Sequence, residues 1–311
     1  MRVAAIDLGT NTTRLLVADV DEGRLDEVHR ETRITRLGEG VDARRRLLPV
    51  PVARVRNVLA DYRRTLESLG AERTLLVATC AVRDAENGEA FLGEIEWSYG
   101  FATRLLSGDE EAELTRRGVE PAAGTLVLDI GGGSTELVLD GFHASLELGS
   151  VRHTERFLHG DPPEPNELAA CAAAVRSLLA ERVPDDVRAR VTAATGVAGT
   201  VTTLAALDLG LAAYDRERVH AHRLTLDGAR AQLERLASLA LAERRALPAL
   251  EPERAPVIVA GAVILVETLD HLGLDAIAVS ERDILDGAAL AAAELPAPGE
   301  GPAPPGAYTC C

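Results

Sequence analysis

The chain contains no lysine: all 33 of its basic side chains are arginine. The usual nucleotide phosphate loop supplies a lysine to its ligand, so that reading falls away at once. A genome of high GC content accounts for the bias itself. Aromatic residues are scarce, at 3% against 47% hydrophobic overall, and the core must be built from Ala, Val and Leu. The cysteines Cys80, Cys171, Cys310 and Cys311 show neither metal-ligand spacing nor a disulfide framework. The seven histidines show no His-Asp metal cluster. The longest apolar run, around Val257 to Val266, is too short to span a bilayer. Asp7 interrupts the opening too early for a signal segment. These absences predict a cytoplasmic protein without a membrane partner.

A net charge of −16 argues against nucleic acid, and also against a polyanionic substrate unless basic residues gather locally. They do. Arg30, Arg33, Arg36, Arg44, Arg45, Arg46, Arg54, Arg56, Arg63 and Arg64 are opposed in that stretch only by Glu31, Glu39, Asp42 and Asp61. Arginine suits bidentate phosphate contacts.

The organising stretch is VLDIGGGSTELVL, from Val127 to Leu139. An apolar strand ends at Asp129, passes Gly131, Gly132 and Gly133, turns through Ser134 and Thr135, and resumes after Glu136. Glycine lets a ligand touch the backbone amides directly. Two hydroxyls and two carboxylates frame that backbone, which suits a phosphate chain and a magnesium ion. A Rossmann turn would lead into a helix, whereas here a strand follows. The N-terminal stretch VAAIDLGTNTTRLLVADV repeats the layout with Asp7, Gly9, Thr10, Asn11 and Thr12. Asp7 is either a plain turn residue or, as an acid closing an apolar strand beside Gly-Thr-Asn, a ligand position.

Further along, a third strand and an arginine-rich loop run to about Leu48, and Pro51 opens an amphipathic helix. A strand at 74–79 delivers Cys80, Arg83 and Asn87 at its carboxyl end, where ligands sit in open α/β sheets. Arg83 follows Cys80 too closely for a cysteine phosphatase loop. Strand 102–106 leads into SGDEEAELTRR, where Ser107 and Glu110 form a capping box. Glu111 lacks that structural reason. It is either an exposed first-turn glutamate or a carboxylate kept ionised as a base by the helix N-terminus. A break at 121–124 divides domains at 1–122 and 123–295. The second continues through strand 144–148, a helix start at Gly149, Arg152 and Glu155, and an alanine-rich helix at 167–183. Strand 191–195 then ends in TGVAGT, whose Gly196, Gly199 and Thr200 read as an anion site at a helix N-terminus. A strand and helix at 253–273 follow, then strand 276–279 and a last helix. Residues 296–311 read as a disordered Pro/Gly-rich tail.

Together DLGTNT, TCAVRDAEN, LLSGDEEA, DIGGGSTE, GSVRHTERF, TGVAGTVTTLAAL and ERAPVIVAGAVIL resemble, in order, the Ppx/GppA family of exopolyphosphatases and guanosine pentaphosphate phosphohydrolases. The resemblance implies an α/β protein of two actin-like, ribonuclease H-like domains facing a cleft, in the short form without a helical extension. It implies that Glu111 activates the attacking water. Asp129 and Glu136, with Asp7, become carboxylates toward Mg²⁺ or Mn²⁺. The triglycine turn, Ser134 and Thr135 become the phosphate cradle, and Arg83 and Asn87 a second phosphate-binding loop. The expected substrate is inorganic polyphosphate, with pppGpp as the alternative, and a homodimer is compatible. An ATP-binding assembly protein of the same superfamily, or a catalytically weak polyphosphate or alarmone sensor, is the alternative of another class. Aspartyl-phosphate chemistry fits poorly, because Gly9 stands where a second acid is needed.

Overall fold

The structure, a computed structural model, describes residues 1–296. The chain divides into two compact units: unit 1 is Met1–Gly118 with the segment from Ile284 onward, and unit 2 is Val119–Asp283.

Unit 1 is built on β1 (Arg2–Leu8), β2 (Thr12–Asp21), β3 (Arg24–Ile34), β4 (Arg73–Ala78) and β5 (Ala102–Leu105), in the order β3-β2-β1-β4-β5. β1 pairs antiparallel with β2 and parallel with β4. Its apolar residues bury both faces, as a central strand requires. Ala4, Ile6 and Leu8 pack with Val55, Leu59, Tyr62 and Leu66 of the helix Pro49–Leu69. Val3 and Ala5 turn to the other face, onto the helix Ile284–Ala293.

Unit 2 holds β6 (Thr125–Ile130), β7 (Thr135–Leu139), β8 (Phe142–Leu146), β9 (Ala193–Val197), β10 (Arg223–Thr225) and β11 (Ala276–Val279), in the order β10-β11-β9-β6-β7-β8. Read from β8, the order matches that of unit 1 with β10 added at the edge. Both are mixed α/β sheets of one topology, so the duplication visible in the two Asp-Gly hairpins extends to whole units.

Three expectations are corrected. The division at 122/123 moves to Gly118/Val119, and the last helix belongs to unit 1 rather than unit 2. The cause is packing: Ile284, Leu285, Ala288, Ala289 and Ala292 cover the sheet face that Val3, Ala5, Leu16 and Val77 expose. The strand expected within 253–273 is absent, because residues 252–257 are turns that open directly into the helix Ile258–Leu272. A fully buried helix is apolar all round and mimics a buried strand. The strand expected at 191–195 lies at Ala193–Val197, two residues later. The expected tail, Pro296 apart, lies outside the described residues.

Candidate functional site

In unit 2, β6 and β7 place Asp129 directly opposite Glu136, and Ile130 opposite Thr135. Both carboxylates are buried, at 7% and 2% exposure. Like charges directly opposite each other across a strand pair repel, so the fold holds two acidic side chains together here. The Ser145 hydroxyl donates to Glu136 Oε1 at 2.9 Å. Among the described residues no cluster of three or more His, Cys, Asp or Glu could hold a metal. This pair of hard oxygen ligands nevertheless fits magnesium, which keeps waters and uses substrate phosphates for its remaining positions.

The turn joining these strands is buttressed from behind. Gly131 N–H donates to the Ser134 carbonyl at 2.9 Å, closing the turn. The amides of Ser150, Val151 and Arg152 donate to the Gly131 and Gly132 carbonyls. Buried Arg152 adds an Nε bond to the Gly133 carbonyl at 2.8 Å. The first amides of the helix Ser150–Phe157 thus fix the turn's carbonyls, rather than forming an anion site. Gly149 explains the close approach, since a Cβ there would sit 2.2 Å from the Gly132 oxygen. Ser134 is buried in the turn. Thr135, expected on the phosphate, donates its hydroxyl to the Leu148 carbonyl at 2.6 Å. That hydroxyl is structural.

Unit 1 repeats the hairpin with one exchange. Asp7 pairs in register with Arg14, and Leu8 with Thr13. Gly9 N–H donates to the Thr12 carbonyl at 2.9 Å, as Gly131 does to Ser134. Arg14 bonds Asp7 Oδ2 at 2.9 Å through Nε and at 2.8 Å through a terminal nitrogen. An arginine therefore stands where Glu136 stands in unit 2, and it neutralises Asp7. This disfavours Asp7 as a metal ligand. Thr10 and Asn11 are buried, and their carbonyls accept from Gly38, Thr35 and Arg36. Thr12 lies at the start of β2. Arg14 escaped sequence reasoning, although the shared spacing of seven residues after each aspartate pointed to it.

A second ion pair in unit 1 joins two more of the expected residues, Arg83 and Glu111. Glu111 lies in the first turn of the helix Gly108–Val119 and is buried. Arg83, at the end of the short helix Cys80–Arg83, donates from Nη1 to Glu111 Oε2 at 3.1 Å and to the Leu106 carbonyl at 2.8 Å. Neighbouring Glu110 makes the capping box, accepting from the Ser107 amide and hydroxyl. The Ser107 amide holds its carboxyl below the usual range, ahead of the other causes. Helix capping and the candidate base are thus divided between adjacent glutamates. Asn87 is not turned to a ligand: its Oδ1 accepts from Leu47 N–H at 2.8 Å and its Nδ2 donates to the Leu47 carbonyl at 3.1 Å.

The residues of the expected anion site at TGVAGT each have a packing role. Gly196 lies inside β9, paired with both Leu128 and Val279, and a Cβ there would strike Val201 and Ile277. Gly199 is in the first turn of the helix Ala198–Asp208, where a Cβ would meet the Arg254 guanidinium at 2.0 Å. Thr200 is buried against Gly261. Packing accounts for these three residues.

A sequence model of the Ppx/GppA phosphatase family matches residues 16–293. The chain belongs to this family. Exopolyphosphatase 2 of Mycobacterium tuberculosis is 42% identical, over 94% of this chain and 98% of its own length. A guanosine-5'-triphosphate,3'-diphosphate pyrophosphatase of Aeromonas hydrophila is 33% identical, over 91% of this chain but 58% of its own. The crystal structure of the Aquifex aeolicus Ppx/GppA family member superposes with a TM-score of 0.77 at 30% identity, covering 94% of this chain and 97% of that one.

Proposed function

We propose that this chain is an exopolyphosphatase, hydrolysing the terminal phosphoanhydride of inorganic polyphosphate and releasing orthophosphate. The observation that carries the reading is the buried Glu111 carboxylate gripped by Arg83. The similarity to exopolyphosphatase 2 over nearly both full lengths supports it.

Such hydrolysis needs an in-line water, a group to orient it, and donors for the charge on the transferring group. Glu111 accepts a proton from the attacking water at its carboxylate. Arg83 fixes that carboxylate's orientation and places a guanidinium charge beside the transferring phosphate. In unit 2 the rigid triglycine turn offers backbone amides to phosphate oxygens, pre-set because its carbonyls are tied down. Asp129 and Glu136 would hold Mg²⁺ or Mn²⁺, which supplies charge neutralisation to phosphate oxygens. The reading includes a cytoplasmic location, with which the buried, unoxidised Cys80 and Cys171 are compatible.

A second reading, removal of the 5′-phosphate of pppGpp, has the Aeromonas relative in its favour. It is the weaker one, because that relative is much longer and less similar. Phosphate release with Mg²⁺ from short polyphosphate, long polyphosphate, pppGpp and ATP tests both. Preference for polyphosphate, lost in Glu111→Gln, is the expected result. Preference for pppGpp moves the assignment to the second reading, and release from ATP alone overturns both.

A further inference from the structure

Most of the arginines gathered between Arg30 and Arg64 are neutralised. Arg30 bonds Glu27 and Asp286, Arg33 bonds Glu31, and Arg54 bonds Glu39. Arg56, Arg63 and Arg64 bond Glu94, Glu67 and Asp61. Three consecutive arginines differ. Arg44, Arg45 and Arg46 are exposed. Among the described residues Arg44 and Arg46 have no ion pair, and Arg45 has only a long one, 3.9 Å to Asp84. In a chain of net charge −16, three adjacent cations left largely uncompensated need a reason.

Their backbone is held on both sides. The Glu86 amide donates to the Arg45 carbonyl at 2.8 Å. Asn87 clamps Leu47 through both its side-chain atoms. Arg45 itself takes φ 53°, a left-handed conformation unusual for a side-chain-bearing residue. The fold therefore holds this triplet next to the Arg83–Asn87 segment, where Arg83 grips Glu111. The opposing acids nearby include Asp42 and Asp84, both partly buried, and Glu86, exposed.

We propose that Arg44, Arg45 and Arg46 form the landing site for the distal phosphates of a long inorganic polyphosphate, so that chain length is read on this loop. The inference rests on the exopolyphosphatase reading and deepens it. Arginine forks match phosphate oxygens bidentately, and exposed charges attract a polyanion with a strength that salt screens. Asn87 acts as a positioning residue, presenting the triplet without touching substrate.

The test compares kcat/KM for long-chain polyphosphate and for tripolyphosphate in the full-length enzyme, across a salt series. In R44Q/R45Q/R46Q the ratio of long-chain to tripolyphosphate efficiency should fall about tenfold or more, mostly through KM, and its salt dependence should flatten. R44K/R45K/R46K should recover part of the ratio, because charge returns without the fork. Asn87→Ala should lower the same ratio with the arginines intact. An unchanged ratio in the glutamine triplet, with the parent active on long chains, overturns the landing site alone. A parent inactive on every polyphosphate overturns the functional reading and this site with it. Competition by poly(U) as strong as by polyphosphate would reduce the triplet to a general polyanion patch and overturn the proposal as well.

Discussion

Arg83 holds the Glu111 carboxylate through Nη1 at 3.1 Å while the same nitrogen bonds the Leu106 carbonyl at 2.8 Å. The proposed base and the cation that orients it thus form one unit, anchored just past the end of β5. Glu111→Gln keeps the shape and a bond acceptor but removes the proton acceptor. Turnover should fall by about 10²–10⁴-fold, the usual worth of general-base assistance, with substrate binding retained. Single-turnover phosphate release together with equilibrium binding measures the two effects separately. Turnover close to that of the parent would remove Glu111 from the role of base.

The two hairpins make opposite predictions for chemically similar changes. Asp129 faces Glu136, whereas Asp7 faces Arg14. On the proposed metal role, Glu136→Gln should weaken Mn²⁺ binding, read by electron paramagnetic resonance, by about tenfold or more, since it removes one of the two proposed oxygen ligands. Asp7→Asn should leave Mn²⁺ affinity nearly intact and instead lower thermal stability. It removes the charge that a largely buried arginine bonds twice, with Arg14 only 15% exposed, at a cost of about 3 kcal/mol. Equal loss of Mn²⁺ in both variants would mean that Asp7 is a ligand after all.

A glycine behind the cradle should matter more to activity than its distance from the chemistry suggests. Gly149→Ala places a Cβ 2.2 Å from the Gly132 oxygen and 2.4 Å from the Gly133 carbonyl carbon, so the turn must move. Overpacking of this kind costs about 1–3 kcal/mol. A shift of the turn should cost most of the activity in protein that still folds. Gly93→Ala, inside the helix Gly88–Tyr99 with nothing within 4 Å, is the matched control. It should raise stability by up to about 1 kcal/mol and leave kinetics alone. Circular dichroism melts beside steady-state rates decide both.

Much of this was legible in the chain, and the failures share a cause. The Asp-Gly hairpins announce themselves because the aspartates, the turns and the flanking apolar strands recur at one spacing. The Ser107–Glu110 cap is local, and it isolated Glu111 as the glutamate needing another explanation. What stayed hidden depends on partners distant in sequence. The Thr135 hydroxyl goes to Leu148, the Asn87 amide to Leu47, and the Gly196 face to Ile277. No periodicity records such contacts, and a residue type suited to phosphate is equally suited to pinning a loop. The arginine cluster is the same lesson in charge: acids outside the stretch, Glu27, Asp286 and Glu94, neutralise part of it.

Cys171 should be chemically silent in the folded protein. Burial, with a smaller contribution from Glu267, pushes its thiol up to about 12. The thiolate is the reactive form, so at pH 8 only about one molecule in ten thousand carries it. In a C80S/C310S/C311S background, labelling of Cys171 by a thiol reagent should proceed only as fast as the protein opens. It should become immediate in denaturant. Rapid labelling under native conditions would show that the site breathes.

The last helix offers a direct test of which unit it stabilises. Gly287 lies against the helix Gly108–Val119, where a Cβ would come within 1.9 Å of the Leu114 carbonyl oxygen. That oxygen is backbone and cannot swing aside, so Gly287→Ala must push the Ile284–Ala293 helix off the face formed by Val3, Ala5 and Val77. The expected loss is about 1–3 kcal/mol. Hydrogen exchange locates it: amides of β1 and β4 should lose protection, whereas those of β6 and β9 keep theirs. The helix follows β11 in sequence, so a division by chain order would predict the reverse. Lost protection in β6 and β9 alone would return the helix to unit 2.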